Sequence, residues 1–154
     1  MNNDPIGWTE YFHQIARLTA KRSKDPDTQV GCVIVNPQKK IVATGYNGHV
    51  TCKNNDEIFP WDREAPTHDG TKYPYVCHAE ANALINATTS VQNCRMFVTK
   101  YPCCNCAKLI CQSGIKVVYY EGEIDEDPNS KYCQVASRKM FHHCKIRTVP
   151  LSIL

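Results

Sequence analysis

The chain has 154 residues, 42% apolar, 21% charged and 9% aromatic, a composition that excludes disordered, collagen-like and coiled-coil classes. Its net charge of +3 is too mild to argue for a nucleic-acid surface, and no apolar run approaches the roughly 18 residues a membrane span needs. The length fits one ordinary domain, read here as residues 1–154. The first residues lack the basic-then-apolar pattern of a secretory signal. Ten cysteines are therefore expected in a reducing, cytoplasmic compartment, where metal or catalytic roles are favoured over disulfides.

Asp4-Pro5 offers a helix cap and a first-turn proline. Trp8, Tyr11, Phe12, Ile15 and Leu18 recur at helical spacing and predict an amphipathic helix over about 6–22. Ser23-Lys24-Asp25-Pro26-Asp27 ends it. The β-branched runs 30–35 and 41–46, parted by Asn36-Pro37-Gln38-Lys39-Lys40, read as a hairpin. From Asn47 to Val76 the pattern is irregular, and the stretch of about 48–76 reads as one long functional loop or insertion. A helix over 79–87, a short strand at 96–98 and a helix over 103–112 closed by Gly114 follow. A strand at 115–120, a helix over 130–142 and a last strand at 146–149 complete the chain. Strands alternating with helices after an opening hairpin predict an α/β fold with a mixed sheet between helices. Cys32, Cys94, Cys111, Cys133 and Cys144 read as small packed residues.

Two segments carry chemistry: Cys77-His78-Ala79-Glu80 and Pro102-Cys103-Cys104-Asn105-Cys106. Cys103 and Cys106 lie three apart at a helix start, so both sulfurs project from one turn, and a helix N-terminus favours the thiolate. With His78 they form a Cys₂His set, whose open fourth position is the arrangement of catalytic zinc. Zinc lowers the pKa of a bound water toward about 7. Glu80, two residues beyond His78, is placed to take and return a proton. The competing reading is a closed structural zinc site with Cys77 or Cys104 as the fourth ligand.

The pairing of H-x-E with P-C-x-x-C is the signature of zinc nucleobase deaminases. Further motifs are Ser23-Lys24-Asp25-Pro26, Gln29-Val30-Gly31, Gly45-Tyr46-Asn47-Gly48, His78-Ala79-Glu80-Ala81-Asn82-Ala83 and Gln112-Ser113-Gly114-Ile115-Lys116. With them the chain resembles the deoxycytidylate (dCMP) deaminase family of the cytidine deaminase-like superfamily, from the first helix to at least Tyr120. The resemblance implies a three-layer α/β/α sandwich with a mixed central sheet. It also implies hydrolytic deamination of dCMP to dUMP and ammonia by a zinc-bound hydroxide, supplying dUMP for thymidylate synthesis. His78, Cys103 and Cys106 would hold Zn2+. Glu80 would deprotonate the water, protonate N3 and deliver a proton to the departing ammonia.

By the same resemblance Asn47 contacts the sugar hydroxyl; its competing role is that of a turn residue in Tyr-Asn-Gly. Ser23 and Lys24 are the corresponding candidates for the 5′-phosphate. The resemblance further implies a homohexamer activated by dCTP with Mg2+ and inhibited by dTTP, with Tyr46 and Gly48 near the effector site. Some members hold a second, structural zinc in the insertion, for which His49, Cys52, His68 and Cys77 are the candidates here. Members usually carry a pyrimidine-stacking tyrosine just after the strand that is 115–120 here. This chain instead reads Glu121-Gly122-Glu123-Ile124-Asp125, which leaves Tyr120 or Tyr132 as the substitute. Some relatives also accept dCTP as substrate. Two other readings are a deaminase of tRNA or single-stranded DNA, which would need a basic groove with stacking aromatics, and a non-catalytic zinc-binding module. No membrane or nucleic-acid partner is expected.

Overall fold

In the computed structural model, which describes residues 3–151, the β-branched runs form the expected hairpin. Strands β1 (Gly31–Val35) and β2 (Ile41–Tyr46) pair antiparallel, with a bulge between Ile34 and Val35. Asn36 Oδ1 ties the turn by accepting the N–H groups of Gln38 and Lys40 at 3.0 and 2.9 Å. Every residue of β1 is buried, because the strand lies inside the sheet with another strand on its far side. That neighbour is β5 (Arg95–Val98), also antiparallel to β1. β6 (Val117–Tyr120) and β7 (Arg147–Pro150) continue the sheet in parallel, giving the order β2-β1-β5-β6-β7.

The period-two alternation of the strands sorts the core into two layers. Val33, Val35, Phe97 and Tyr119 face helix α1 (Trp8–Ala20) through Phe12 and Ala16. Cys32, Ile34, Met96, Val98, Val118 and Tyr120 face the other way. There they meet α3 (Ala79–Asn86), α4 (Cys104–Ser113) and α5 (Gln134–His143) through Ala79, Ala83, Ala107, Ile110 and Phe141. The result is the expected three-layer α/β/α sandwich with a mixed sheet.

Two expectations for α1 are corrected. The helix begins after Gly7 rather than at an Asp4-Pro5 cap. Of the five residues whose spacing predicted it, only Phe12 is buried, while Trp8 and Leu18 are 54% and 68% exposed. Small residues (Ala16 and Ala20) do much of the packing, so the large apolar side chains overstated where the inner face lies. α4 ends as expected at Gly114, which takes the left-handed conformation at φ +84°.

The stretch 48–76 is not structureless. It contains the short antiparallel pair β3 (Gly48–His49) and β4 (Val76–Cys77), the one-turn helix α2 (Asn55–Ile58) and a 3-10 turn at His68–Gly70. Hydrogen bonds from Lys72 N–H to Asp62 O at 2.8 Å and from Val50 N–H to Tyr75 O at 2.9 Å close it on itself. Among the described residues, no helix is long and apolar enough to cross a membrane.

Candidate metal centre and its pocket

The site is built at two helix N-termini. His78 is the N-cap of α3 and Cys103 the N-cap of α4, with Cys106 in the first turn. What brings α3 to this place is Gly45 in β2. A Cβ there would stand 2.3 Å from Ala79 O and 2.4 Å from Ala83 N, so only glycine lets the helix backbone lie directly on the strand.

His78 Nδ1 lies 3.4 Å from Cys103 Sγ and 3.5 Å from Cys106 Sγ. A tetrahedral zinc with Zn–N of about 2.05 Å and Zn–S of about 2.3 Å sets an N···S edge of about 3.6 Å. The donor set therefore fits zinc in both chemistry and spacing. It is the one group of three or more His, Cys, Asp or Glu residues placed for a metal among the described residues. Neither Cys77 nor Cys104 joins it as a fourth ligand.

The hydrogen bond from Cys106 and then the His78 imidazole pull the Cys103 thiol down to about 4, while sharing with that thiolate pushes Cys106 up. A zinc ion held by His78, Cys103 and Cys106 would take both sulfurs as thiolates. Glu80, 4% exposed, accepts a hydrogen bond from Cys106 Sγ at 3.6 Å. Burial raises its pKa, partly offset by His78.

Beside this centre opens a pocket lined by charged, polar and aromatic side chains. His78, Glu80 and Cys103 line it together with Asp25, Asn47 and Lys72. The Asn47 amide is heavily engaged. Its Nδ2 donates to Thr28 O at 2.9 Å and Asp25 Oδ2 at 3.4 Å, and its Oδ1 accepts the Val30 N–H at 2.8 Å. Asn47 thus sits between β2 and β3 and braces the segment 25–30 across the chain, rather than serving a local turn, while also lining the pocket.

Arg63, Lys100 and Tyr73 also line it, and Lys131 joins them through its bond to Tyr73. Arg63 Nε and Lys131 Nζ both donate to Tyr73 Oη, at 3.3 and 2.5 Å. Lys100 Nζ sits 4.5 Å from the Tyr132 ring centroid. Among the described residues none of these three cations has a carboxylate within ion-pair distance. Tyr132 lines the pocket and Tyr120 does not. Tyr120 is buried in the core instead. The Tyr132 carbonyl accepts the Cys104 N–H at 2.9 Å, which ties the loop to the start of α4. Gln134 bridges that loop to Tyr101 O at 2.9 Å and receives the Asp125 N–H at 2.6 Å.

The other sequence candidates lie elsewhere. Ser23 is buried and donates to Asn47 O at 2.8 Å, and Lys24 pairs with Asp56 at the surface; neither lines the pocket. Tyr46 is partly exposed with the Arg22 guanidinium 6.0 Å from its ring centroid, and Gly48 begins β3. His49 stacks on Trp61 at 3.8 Å and bonds Pro60 O at 3.1 Å. Cys52 is exposed, His68 sits in the 3-10 turn and Cys77 in β4. These four are not gathered into a second metal centre. Arg63, Lys72, Tyr73, Lys100 and Gln134 were not singled out by sequence. Arg63, Lys72 and Tyr73 sit in the insertion, Lys100 just past β5 and Gln134 at the first position of α5, and no ligand spacing marks any of them.

Residues 6–121 match the model of the cytidine and deoxycytidylate deaminase zinc-binding region. The chain is 46% identical to the deoxycytidylate deaminase of Homo sapiens over 142 residues, covering 91% of this chain and 77% of that one. It is 43% identical over 136 residues to a probable deoxycytidylate deaminase of Caenorhabditis elegans, covering 88% and 65%. The dCMP deaminase of cyanophage S-TIM5, solved in complex with dCMP and dUMP, superposes with a TM-score of 0.72 at 25% identity, covering 93% and 96%. A centre whose spacing fits zinc, a buried carboxylate beside it and these matches lead to one conclusion: the chain belongs to the cytidine and deoxycytidylate deaminase family.

Proposed function

We propose that the chain hydrolyses dCMP to dUMP and ammonia. The observation that carries this reading is the His78–Cys103–Cys106 triangle opening, with Glu80 beside it, on a pocket lined by Arg63 and Lys100, which among the described residues have no carboxylate partner within ion-pair distance. His78, Cys103 and Cys106 would hold zinc, which when bound supplies a water acidified toward neutral pH. Glu80 takes the proton of that water and passes it to N3 of the pyrimidine. It then delivers the second proton to the amino group leaving C4, so one water is consumed and one ammonia released. Its burial suits a carboxyl that must exist in both forms.

Asn47 Oδ1 keeps one lone pair beyond the Val30 N–H, which fits a sugar hydroxyl donor. Tyr132 is positioned to lie over the base, in place of the tyrosine missing after β6. Arg63, Lys100 and Lys131 are the groups for the 5′-phosphate, rather than Ser23 and Lys24.

The reading extends to supply of dUMP for thymidylate synthesis in the cytoplasm, and to a homohexamer activated by dCTP with Mg2+ and inhibited by dTTP. The Arg22 guanidinium over the part-exposed Tyr46 ring suits a nucleotide effector beside Gly48. A second reading is deamination of dCTP as well, for which an open cleft next to the pocket offers space, with Arg63 and Lys131 set against the carboxylates of Asp62 and Glu64. Arg63 and Tyr73 belong to both, and Lys131, Asp27, Asp62 and Glu64 line the cleft, leaving room for a longer phosphate chain.

The test is loss of cytosine absorbance with dCMP, deoxycytidine, CMP, dCTP and a short single-stranded DNA offered in parallel. Chelator-sensitive turnover of dCMP over deoxycytidine and DNA supports the proposal. Turnover of the oligonucleotide alone would keep the metal chemistry and remove the substrate.

A further inference from the structure

Among the described residues, Lys72 is the one buried lysine, at 6% exposure. Its Nζ donates to Asp25 Oδ1 and Oδ2 at 2.7 and 2.9 Å and to Asp27 Oδ2 at 2.7 Å. All three ammonium protons are therefore used. Lys72 comes from the 48–76 insertion and Asp25 from the turn after α1, and both side chains line the pocket. Neither touches the metal set, and neither is needed for the proton transfers assigned to Glu80.

The pair closes the pocket wall. Asp25 also accepts the backbone N–H groups of Asp27 and Thr28 at 2.9 and 3.2 Å, and its Oδ2 receives the Asn47 amide at 3.4 Å. Lys72 thus fastens the insertion to the segment 25–28 and, through Asp25, to Asn47. It also offsets one of the two negative charges that Asp25 and Asp27 bring together. Without Lys72 a bare carboxylate would face a pocket that admits an anionic substrate, and like charges repel strongly where the surroundings are poorly polarisable.

We propose that Lys72 is a positioning residue that sets the preference for phosphorylated over unphosphorylated substrates, by offsetting the Asp25 charge on the pocket wall. The proposal rests on the reading of this pocket as a nucleotide site. A neutral nucleoside does not feel the Asp25 charge; a nucleoside monophosphate does. A purely structural staple would instead affect both alike.

The experiment compares wild type, Lys72→Met and Lys72→Met/Asp25→Asn on dCMP and deoxycytidine, with kcat and KM resolved and zinc content measured. Lys72→Met is expected to lower the dCMP-to-deoxycytidine ratio of kcat/KM by roughly thirtyfold, about 2 kcal/mol, mainly through the KM for dCMP. Asp25→Asn in that background is expected to restore about tenfold of the ratio. Equal losses on both substrates, without recovery in the double variant, overturn the proposal. Should Lys72→Met fail to fold, Asp25→Asn alone decides, because Lys72 then stays bonded to Asp27. The ratio is expected to rise about threefold, and an unchanged or lower ratio overturns the proposal. A wild type inactive on dCMP but active on another substrate removes the nucleotide reading itself, and this proposal with it.

Discussion

His78 and Cys103, each the N-cap of its own helix, meet with Nδ1 and Sγ 3.4 Å apart. Two helix N-termini therefore converge on one point, and both favour negative charge there. The arrangement suits thiolate ligands before any metal arrives. Replacing Cys103 by Ser is expected to drop zinc from about one per chain to near zero and to abolish turnover. It should also remove the rise in melting temperature that added zinc gives the wild type, since a ligand stabilises only the state it binds. Elemental analysis and thermal melts check this.

Gly45 carries α3, and with it His78 and Glu80. With a Cβ 2.3 Å from the Ala79 carbonyl oxygen, Gly45→Ala must push the helix away from β2. Overpacking of this kind costs about 1–3 kcal/mol. A denaturant melt should show that loss together with weakened zinc retention. Full stability with normal zinc content would mean the helix yields freely and the close approach is incidental.

The Asp25–Lys72 pair has a defined pH signature. Burial raises the Asp25 pKa, but Lys72 and the backbone N–H groups of Asp27 and Thr28 outweigh it and hold it below 3.8. Burial lowers the Lys72 pKa, and Asp25 and Asp27 more than reverse that, leaving it above 10.5. A lowered carboxyl stabilises the fold above its unfolded pKa and loses that contribution as pH falls through the folded value. A raised ammonium does so below its unfolded pKa and loses it as pH rises through the folded value. The stability difference between wild type and Lys72→Met/Asp25→Asn is therefore expected to be flat between about pH 5 and 10. It should shrink below 3.8 and above 10.5. Both proteins carry the same zinc ligands, so loss of metal cancels in the comparison.

Tyr132→Ala tests the aromatic assignment. Base–aromatic stacking is worth about 1–3 kcal/mol by alanine substitution, so the KM for dCMP should rise roughly tenfold or more. Tyr120→Phe, on the core side of β6, should leave that KM unchanged. The reverse pattern would return the stacking role to Tyr120.

Much of this molecule was legible in its sequence for local reasons. The β1–β2 hairpin followed from β-branched runs around an Asn-Pro turn, and α4 from its run to Gly114. The His78, Cys103 and Cys106 set was legible because two short motifs each place ligands at a helix start. What stayed hidden depends on long-range contact. Lys72 and Asp25 are 47 residues apart, and no spacing rule joins them. Arg63 and Tyr73 lie in the insertion, where a buried or convergent cation looks the same as a solvated one. The Asp4-Pro5 pair misled: α1 opens later, after an exposed Gly7 with no side-chain cap.

The most direct measurement is the rate of dCMP deamination by the zinc-loaded chain beside its Glu80→Gln variant, with zinc content determined for both. The account predicts chelator-sensitive conversion of dCMP to dUMP by the wild type. It predicts a fall in kcat of about 10²–10⁴-fold for Glu80→Gln, with its zinc retained. Equal rates for the two proteins, or no dCMP turnover by a fully zinc-loaded wild type, would contradict it.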